Sequence, residues 1–251
     1  MMHDPDDSLF DAPAAASFPP LFTGLALRPG ADPFAKAVAQ AMIGVDAGLL
    51  PYAITADRLA AAVVFAPEEP LRRAMVALIA CGVGLQNAFG ALAPPEVGLH
   101  LGWPGDIYLN GGRAGRLRVA AAHTDPDAVP DWLVVGLELD LLPPAHIEPG
   151  ARPNETCLAM EGCGDVDPQH LIEAWARHLL VWLHEVETGD PRALATMWRG
   201  LAHGLGKDID LPDGTRGTFV GIDEDFGLLL RQGDTTRLVP LITLLENGPP
   251  R

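Results

Sequence analysis

The dipeptide Asn110-Gly111 constrains this chain most, because it stands between short apolar runs: VGLHL (97–101) and DIYL (106–109) before it, AGRLRVA (114–120) after it. Both residues tolerate the left-handed backbone that a two-residue hairpin demands, so the flanking runs should pair as antiparallel strands. Arg116, Leu117, Arg118 and Val119 alternate charged and apolar side chains, which gives that strand one wet face and one buried face. WLVVGLELDL (132–141) supplies another β-rich segment beside them. The expectation is a half-exposed antiparallel sheet.

Helices should back it. Asp32-Pro33 reads as a cap followed by a first-turn proline, opening a helix that buries Phe34, Val38, Ala41, Met42 and Val45 and ends by Gly48. LAAAVVFAP (59–67) predicts a buried strand, whereas GLLPYAITADRL before it reads as a plain connector. Pro70 opens a helix with Leu71, Met75, Leu78, Ile79 and Val83 as its buried stripe, and Asp167-Pro168 and Asp190-Pro191 start two more. After Gly206 come short strands and tight turns, which predict an SH3-like β-barrel of about 45 residues, too small to be stable without leaning on the helices. The expected class is therefore α+β: a mobile acidic tail over 1–20, a mainly antiparallel sheet backed by helices over 21–203, and the small barrel over 204–251.

Charge narrows the function. The net charge is −16, and only Lys36 and Lys207 are lysines. Nucleic-acid affinity comes mostly from basic side chains displacing counterions, so nucleic-acid binding is excluded. No run reaches the roughly 18 uninterrupted apolar residues of a membrane span. The acidic start lacks a basic n-region, and the expected location is cytoplasmic. Three cysteines do not make a disulfide framework, and Cys81, in MVALIACGVGL, reads as a core residue. His178 and His184 are six apart on different helix faces, and His123 and His146 are loop-like, so no metal site is expected.

Three strings resemble the biotin and lipoate protein ligase family. Trp103-Pro104-Gly105-Asp106-Ile107-Tyr108-Leu109 is similar to its WPND-type strand and turn, and Val134 to Asp140 (VVGLELD) to its VGIGIN-type strand. Gly221 to Leu230 (GIDEDFGLLL) resembles the GIDxxGxLLL hairpin of the C-terminal barrel in biotin ligases, and Trp198-Arg199 stands where those ligases carry a Trp before the barrel. The resemblance spans residues 33 to 246 and implies the α+β ligase fold. It also implies chemistry: family ligases join a cofactor carboxylate (biotin or lipoate) to AMP using ATP and magnesium, then pass it to a lysine of a biotinyl or lipoyl carrier domain.

That chemistry requires an acidic residue near magnesium, a lysine on the developing charge, and a glycine- and arginine-rich phosphate loop. Asp106 matches the acidic residue, with Gly105 replacing the family's Asn. Matching GGRAGRL to the family's RKLAGIL places Gly112 on the lysine and Gly115 on the motif glycine. Arg113 is the other catalytic candidate, although regular strand alternation turns it away from the Gly112 face, and only a one-residue slip at Gly111-Gly112 would bring it inward. No phosphate loop is present, and Arg58 is the one cation in the segment that replaces it. The resemblance thus implies a pocket facing Trp103, Pro104, Gly105, Asp106, Gly115 and Gly136, with Arg58, Arg113 and Arg116 to hold an anion. Octanoyltransferases of the superfamily use a cysteine after the same strand. Cys157 and Cys163 follow it here, but Glu155, Glu161 and Asp165 around them would raise a thiol pKa, and TCLAMEG resembles the ligases' TSL-x-E-G segment. Two readings stand: a ligase-like enzyme handling a carboxylate cofactor for a carrier lysine, and a non-catalytic binder of a small carboxylate or a carrier domain on the same scaffold.

Overall fold

The computed structural model describes residues 16–246 apart from Pro104, 144–150, Asp190 and Pro212. The tail expected over 1–20 lies mostly outside the described residues, and so do His146 and the cap expected at Asp190.

A seven-stranded sheet forms the centre: β1 (Thr23–Ala26), β2 (Leu49–Ile54), β3 (Arg58–Phe65), β4 (Leu99–Leu101), β5 (Asp106–Leu109), β6 (Gly112–Ala121) and β7 (Leu133–Asp140), in the spatial order β1-β2-β3-β7-β6-β5-β4. Every neighbouring pair is antiparallel except β1–β2. The hairpin at Asn110-Gly111 forms as expected, with φ of 48° and 94°. The connector reading of GLLPYAITADRL is corrected, since its first half is β2. Pro51 disguises it. The ladder to β3 runs over Tyr52–Ile54, which leaves the proline's missing N–H outside it.

Alternation along these strands builds two different faces. Leu59, Ala61 and Val63 of β3, Leu117 and Val119 of β6, and Val135, Leu137 and Leu139 of β7 are buried on the side of α3 (Val76–Leu92), which packs on α4 (Pro168–Thr188) and α5 (Pro191–Leu201). The helix expected from Pro70 is interrupted at Met75 into α2 (Leu71–Ala74) and α3. Leu71–Leu92 is long and apolar enough to cross a membrane, yet α3 is buried on nearly every side as the core helix. On the opposite face α1 (Pro33–Met42) covers Ala62, Val64, Ala120 and Val134 with Phe34, Ala37, Val38 and Ala41. Asp32 caps α1 by accepting from the Phe34 and Ala35 amides.

The remaining chain is a four-stranded antiparallel meander, β8 (Asp208–Asp210), β9 (Arg216–Ile222), β10 (Leu228–Gln232) and β11 (Thr235–Val239), with β8 and β11 at opposite edges. Its buried Phe219, Leu228 and Leu230 belong to the same apolar cluster as the main core, with Trp198 of α5 tilted against Phe219. A 3-10 turn (Leu241–Leu244) returns the chain to the large sheet, where Leu245 bridges to Val119 and the Glu246 amide donates to the Val119 carbonyl at 2.8 Å.

Candidate functional site

Beyond the end of α1 its face of the sheet becomes charged, because period-two alternation brings Arg116 and Arg118 of β6, Glu138 and Asp140 of β7, and Arg58 of β3 to the same side. Asp106 of β5 pairs across from Arg116 and joins them. Arg113 joins too, by a route the strand pattern hides. The β5–β6 register shifts between Ile107 and Tyr108, leaving Ala114 as the extra residue of a bulge, so Arg113 opposes Tyr108 while Gly115 opposes Ile107. Arg113 keeps the face opposite Gly112 that strand alternation gives it, but it is not a free surface arginine: its guanidinium lies 3.4 Å from Asp106 and 3.3 Å from Glu155. The slip occurs at Ala114 rather than in the turn.

These groups form one ion-pair network. Arg116 holds Glu138 through Nε and Nη2 at 2.9 and 3.2 Å, and Arg58 reaches Glu138 at 3.9 Å and Asp140 at 3.5 Å. Arg118 donates from Nε and Nη2 to Glu246 at 2.8 and 2.7 Å, and from Nη1 to Glu138 at 3.0 Å and Asp32 at 3.3 Å. Its guanidinium carbon stacks 4.2 Å over the Phe34 ring, which lies so close to β7 that a Cβ at Gly136 would come within 2.6 Å of it. Arg118 and Glu246 are absent from the residues the family strings suggest. Alternation marks the first as wet, but nothing local marks the second, 128 residues away.

The network shapes the titration of its members. Burial pushes the Glu138 carboxyl up, but hydrogen bonds and charge from Arg116 and Arg118 outweigh it and hold it below the usual range. Burial raises Asp140 despite Arg58 and Arg113. Burial alone would lower the Arg113 pKa, and its contacts with Glu155 and Asp106 raise it instead. The Glu246 hydrogen bond is the largest of the influences that raise Arg118. Beside Asp106, Tyr108 stacks face to face on His203 at 3.8 Å. Burial, followed by Asp106, raises the Tyr108 phenol, while burial, Lys207 and His100 lower His203, so both rings are neutral near pH 7.

A concave space of about 340 Å³ opens along β6, bounded by Asp106, Arg113, Arg116, Arg118, Asp210 and Glu246, with Leu78, Leu117, Leu211 and Leu244 adding apolar wall from the α3 side and the C-terminal segment. The other expected pocket residues lie elsewhere. Trp103 is buried, its indole N–H donating to the Phe226 carbonyl at 3.0 Å, and the crevice beside it holds only about 10 Å³, far too little for an organic cofactor. Gly105, at φ 101°, and Gly115 are demanded by the backbone itself: a Cβ would lie 2.8 Å from the Leu117 carbonyl in the first case and 2.2 Å from the Glu138 carbonyl in the second. Pro104 lies outside the described residues. Cys157 and Cys163 are buried, and the Cys163 thiol is pushed up by burial and by Glu161 and Glu96, the wrong direction for a nucleophile.

A nucleoside triphosphate does not fit what is present. Among the described residues, the network sets five guanidinium groups (Arg58, Arg113, Arg116, Arg118, Arg152) against six carboxylates (Asp32, Asp106, Glu138, Asp140, Glu155, Glu246), so it holds no surplus positive charge. The segment in the phosphate loop's place includes β2, whose amides serve the sheet.

Comparison with known proteins gives this geometry its lineage. The model of the Biotin/lipoate A/B protein ligase family matches residues 18–200, and a domain of unknown function (DUF4444) matches 212–247. A biotin--[acetyl-CoA-carboxylase] ligase of Paracoccus denitrificans is 25% identical over 201 residues, covering 78% of this chain and 83% of that protein. A biotin protein ligase-like protein of unknown function from Silicibacter sp. TM1040 superposes with a TM-score of 0.87 at 53% identity, over 93% of this chain and all of the other. The biotin protein ligase of Aquifex aeolicus shares the fold at a TM-score of 0.68 and 17% identity, over 87% and 95% of the two chains. With the family model spanning most of its length, this chain belongs to the biotin/lipoate A/B protein ligase family.

Proposed function

We propose that this chain binds a small monocarboxylate with an apolar body, the class that includes biotin, lipoate and octanoate, and does not convert it to an acyl-adenylate by the family's lysine-dependent route. One observation carries the reading: the concave space is lined by both arginines and leucines, and the arginines are already paired with carboxylates. A monoanion needs one guanidinium, but a triphosphate needs a cluster of unpaired donors. Position 112 supports the same reading. A side chain there would start 2.9 Å from Thr156 Cβ and Cγ2, so the strand has no room for the lysine the ligases use. The protein would act in the cytoplasm, where three buried, unpaired thiols stay reduced. Residues 21–203 would form the binding domain, and 204–251 an SH3-like unit closing one side of the site.

The second reading keeps the ligase activity, and the bulge at Ala114 favours it. Arg113 beside Asp106 would stand in for the lysine, with Asp106 toward ATP and magnesium and a biotinyl or lipoyl carrier domain as acceptor. Pyrophosphate release separates the two. With MgATP and biotin, lipoate or octanoate, the first reading predicts no release above the protein-free rate. Acid-dependent release that disappears in Arg113→Ala would establish the second reading instead.

A further inference from the structure

Arg118 is the most firmly held guanidinium on the charged face. Its side chain is 15% exposed, its plane rests on Phe34, and Nη1 is fixed by Glu138 and Asp32. The Nε–Nη2 edge is the one that meets a carboxylate side by side, the geometry in which arginine binds carboxylates best. Glu246 occupies that edge, and both residues line the concave space.

The two carboxylates that take an arginine's Nε–Nη2 edge here differ in how they are anchored. Glu138, the partner of Arg116, stands inside β7 with a ladder on both sides. Glu246 is 38% exposed and sits at the end of the described chain, tied to β6 by its own amide and the Leu245 bridge. Leu244, two residues earlier, forms part of the apolar wall. One short segment therefore supplies both a carboxylate on the arginine and an apolar group beside it. These are the two features a monocarboxylate ligand would bring.

We infer that Glu246 is a built-in competitor: a small monocarboxylate binds by taking the Nε–Nη2 edge of Arg118 from Glu246 and unpairing residues 245–246 from β6. The inference rests on the monocarboxylate reading above and names its anchor. Exchange of one carboxylate for another leaves the network's charge unchanged, whereas a polyphosphate brings several charges for the one removed. Because the closed segment hides the binding-competent form, the apparent affinity is reduced by the fraction of molecules in which it is open.

Octanoate is the probe. Its affinity is measured calorimetrically for wild type, Glu246→Ala and the double variant Glu246→Ala/Arg118→Gln, and amide hydrogen exchange at residues 245–246 is followed in wild type with and without saturating octanoate. Glu246→Ala should bind about tenfold more tightly than wild type, the gain expected if the segment is open in about a tenth of molecules. The double variant should lose binding, and octanoate should speed exchange of the Glu246 amide by about the same factor in wild type. Equal affinity for wild type and Glu246→Ala, with the Glu246 amide still protected at saturation, overturns the competitor while leaving the monocarboxylate reading standing. Binding retained by the double variant removes Arg118 as the anchor. No binding to any form, at any concentration tested, overturns the inference and the reading together.

Discussion

At position 112 a Cβ would lie 2.9 Å from both Thr156 Cβ and Cγ2, and Thr156 cannot easily yield, since its hydroxyl donates to Glu161 at 2.6 Å and its amide to the Arg113 carbonyl at 2.8 Å. Gly112→Lys, the substitution that would restore the family's residue, should therefore cost about 1–3 kcal/mol of stability by overpacking and produce no pyrophosphate with MgATP and any of the acids. A melting temperature equal to wild type, together with acid-dependent turnover, would show that the glycine is the only obstacle to ligase chemistry. Phe226 shows a departure of the opposite kind. It stands at the sixth position of the GIDxxGxLLL pattern, where the pattern has glycine, and takes a left-handed backbone at φ 60°. Such a conformation costs a side-chain-bearing residue about 1–2 kcal/mol. The buried ring and the Trp103 indole bonded to its carbonyl offset that cost.

Strand β6 shows how far the pattern of a sequence reaches. Its alternation from Arg116 onward and the Asn110-Gly111 turn are legible because each follows from one residue's neighbours, and with them the antiparallel sheet and its wet face. The bulge at Ala114 is not, since it depends on which residue of β5 each residue of β6 opposes. Strand β2 escapes because Pro51 imitates a loop, and Glu246 because its partner is brought close only by the whole fold. The ion pairs between β6 and β7 also set the acid response. The folded-state Glu138 carboxyl lies below the ordinary 4.5, as does that of Glu155, held down by Arg152 and Arg113 against its slight burial. Lowered carboxyls contribute stability that is complete above the unfolded pKa and is lost as pH falls through the folded one, while the raised Asp140 works in the opposite sense and offsets part of it. The melting temperature should fall as pH drops from about 5 to about 3. Glu138→Gln should melt lower at pH 7 and show a flatter fall over the same range. An unchanged slope would mean that the ion pairs of β6 and β7 do not couple to stability.

The two sheets share one apolar core, and Trp103 joins them by donating its indole N–H to Phe226. Trp103→Phe removes that buried bond and leaves the Phe226 carbonyl without its donor, so it should cost about 1–3 kcal/mol. Faster amide exchange should follow at Asp223–Gly227, a turn organised by the Asp223 carboxylate accepting the Gly227 and Asp225 amides. Exchange unchanged there would show that the C-terminal meander holds its turn without the tryptophan. The whole molecule thus keeps the ligase scaffold while its charged face is balanced within itself, and a face so balanced should take an acid and refuse ATP. Calorimetric titration of octanoate in the absence and presence of MgATP tests this. Saturable binding of the acid with the same affinity in both, and no heat from MgATP alone, is the predicted result; binding of the acid only when MgATP is present would contradict it.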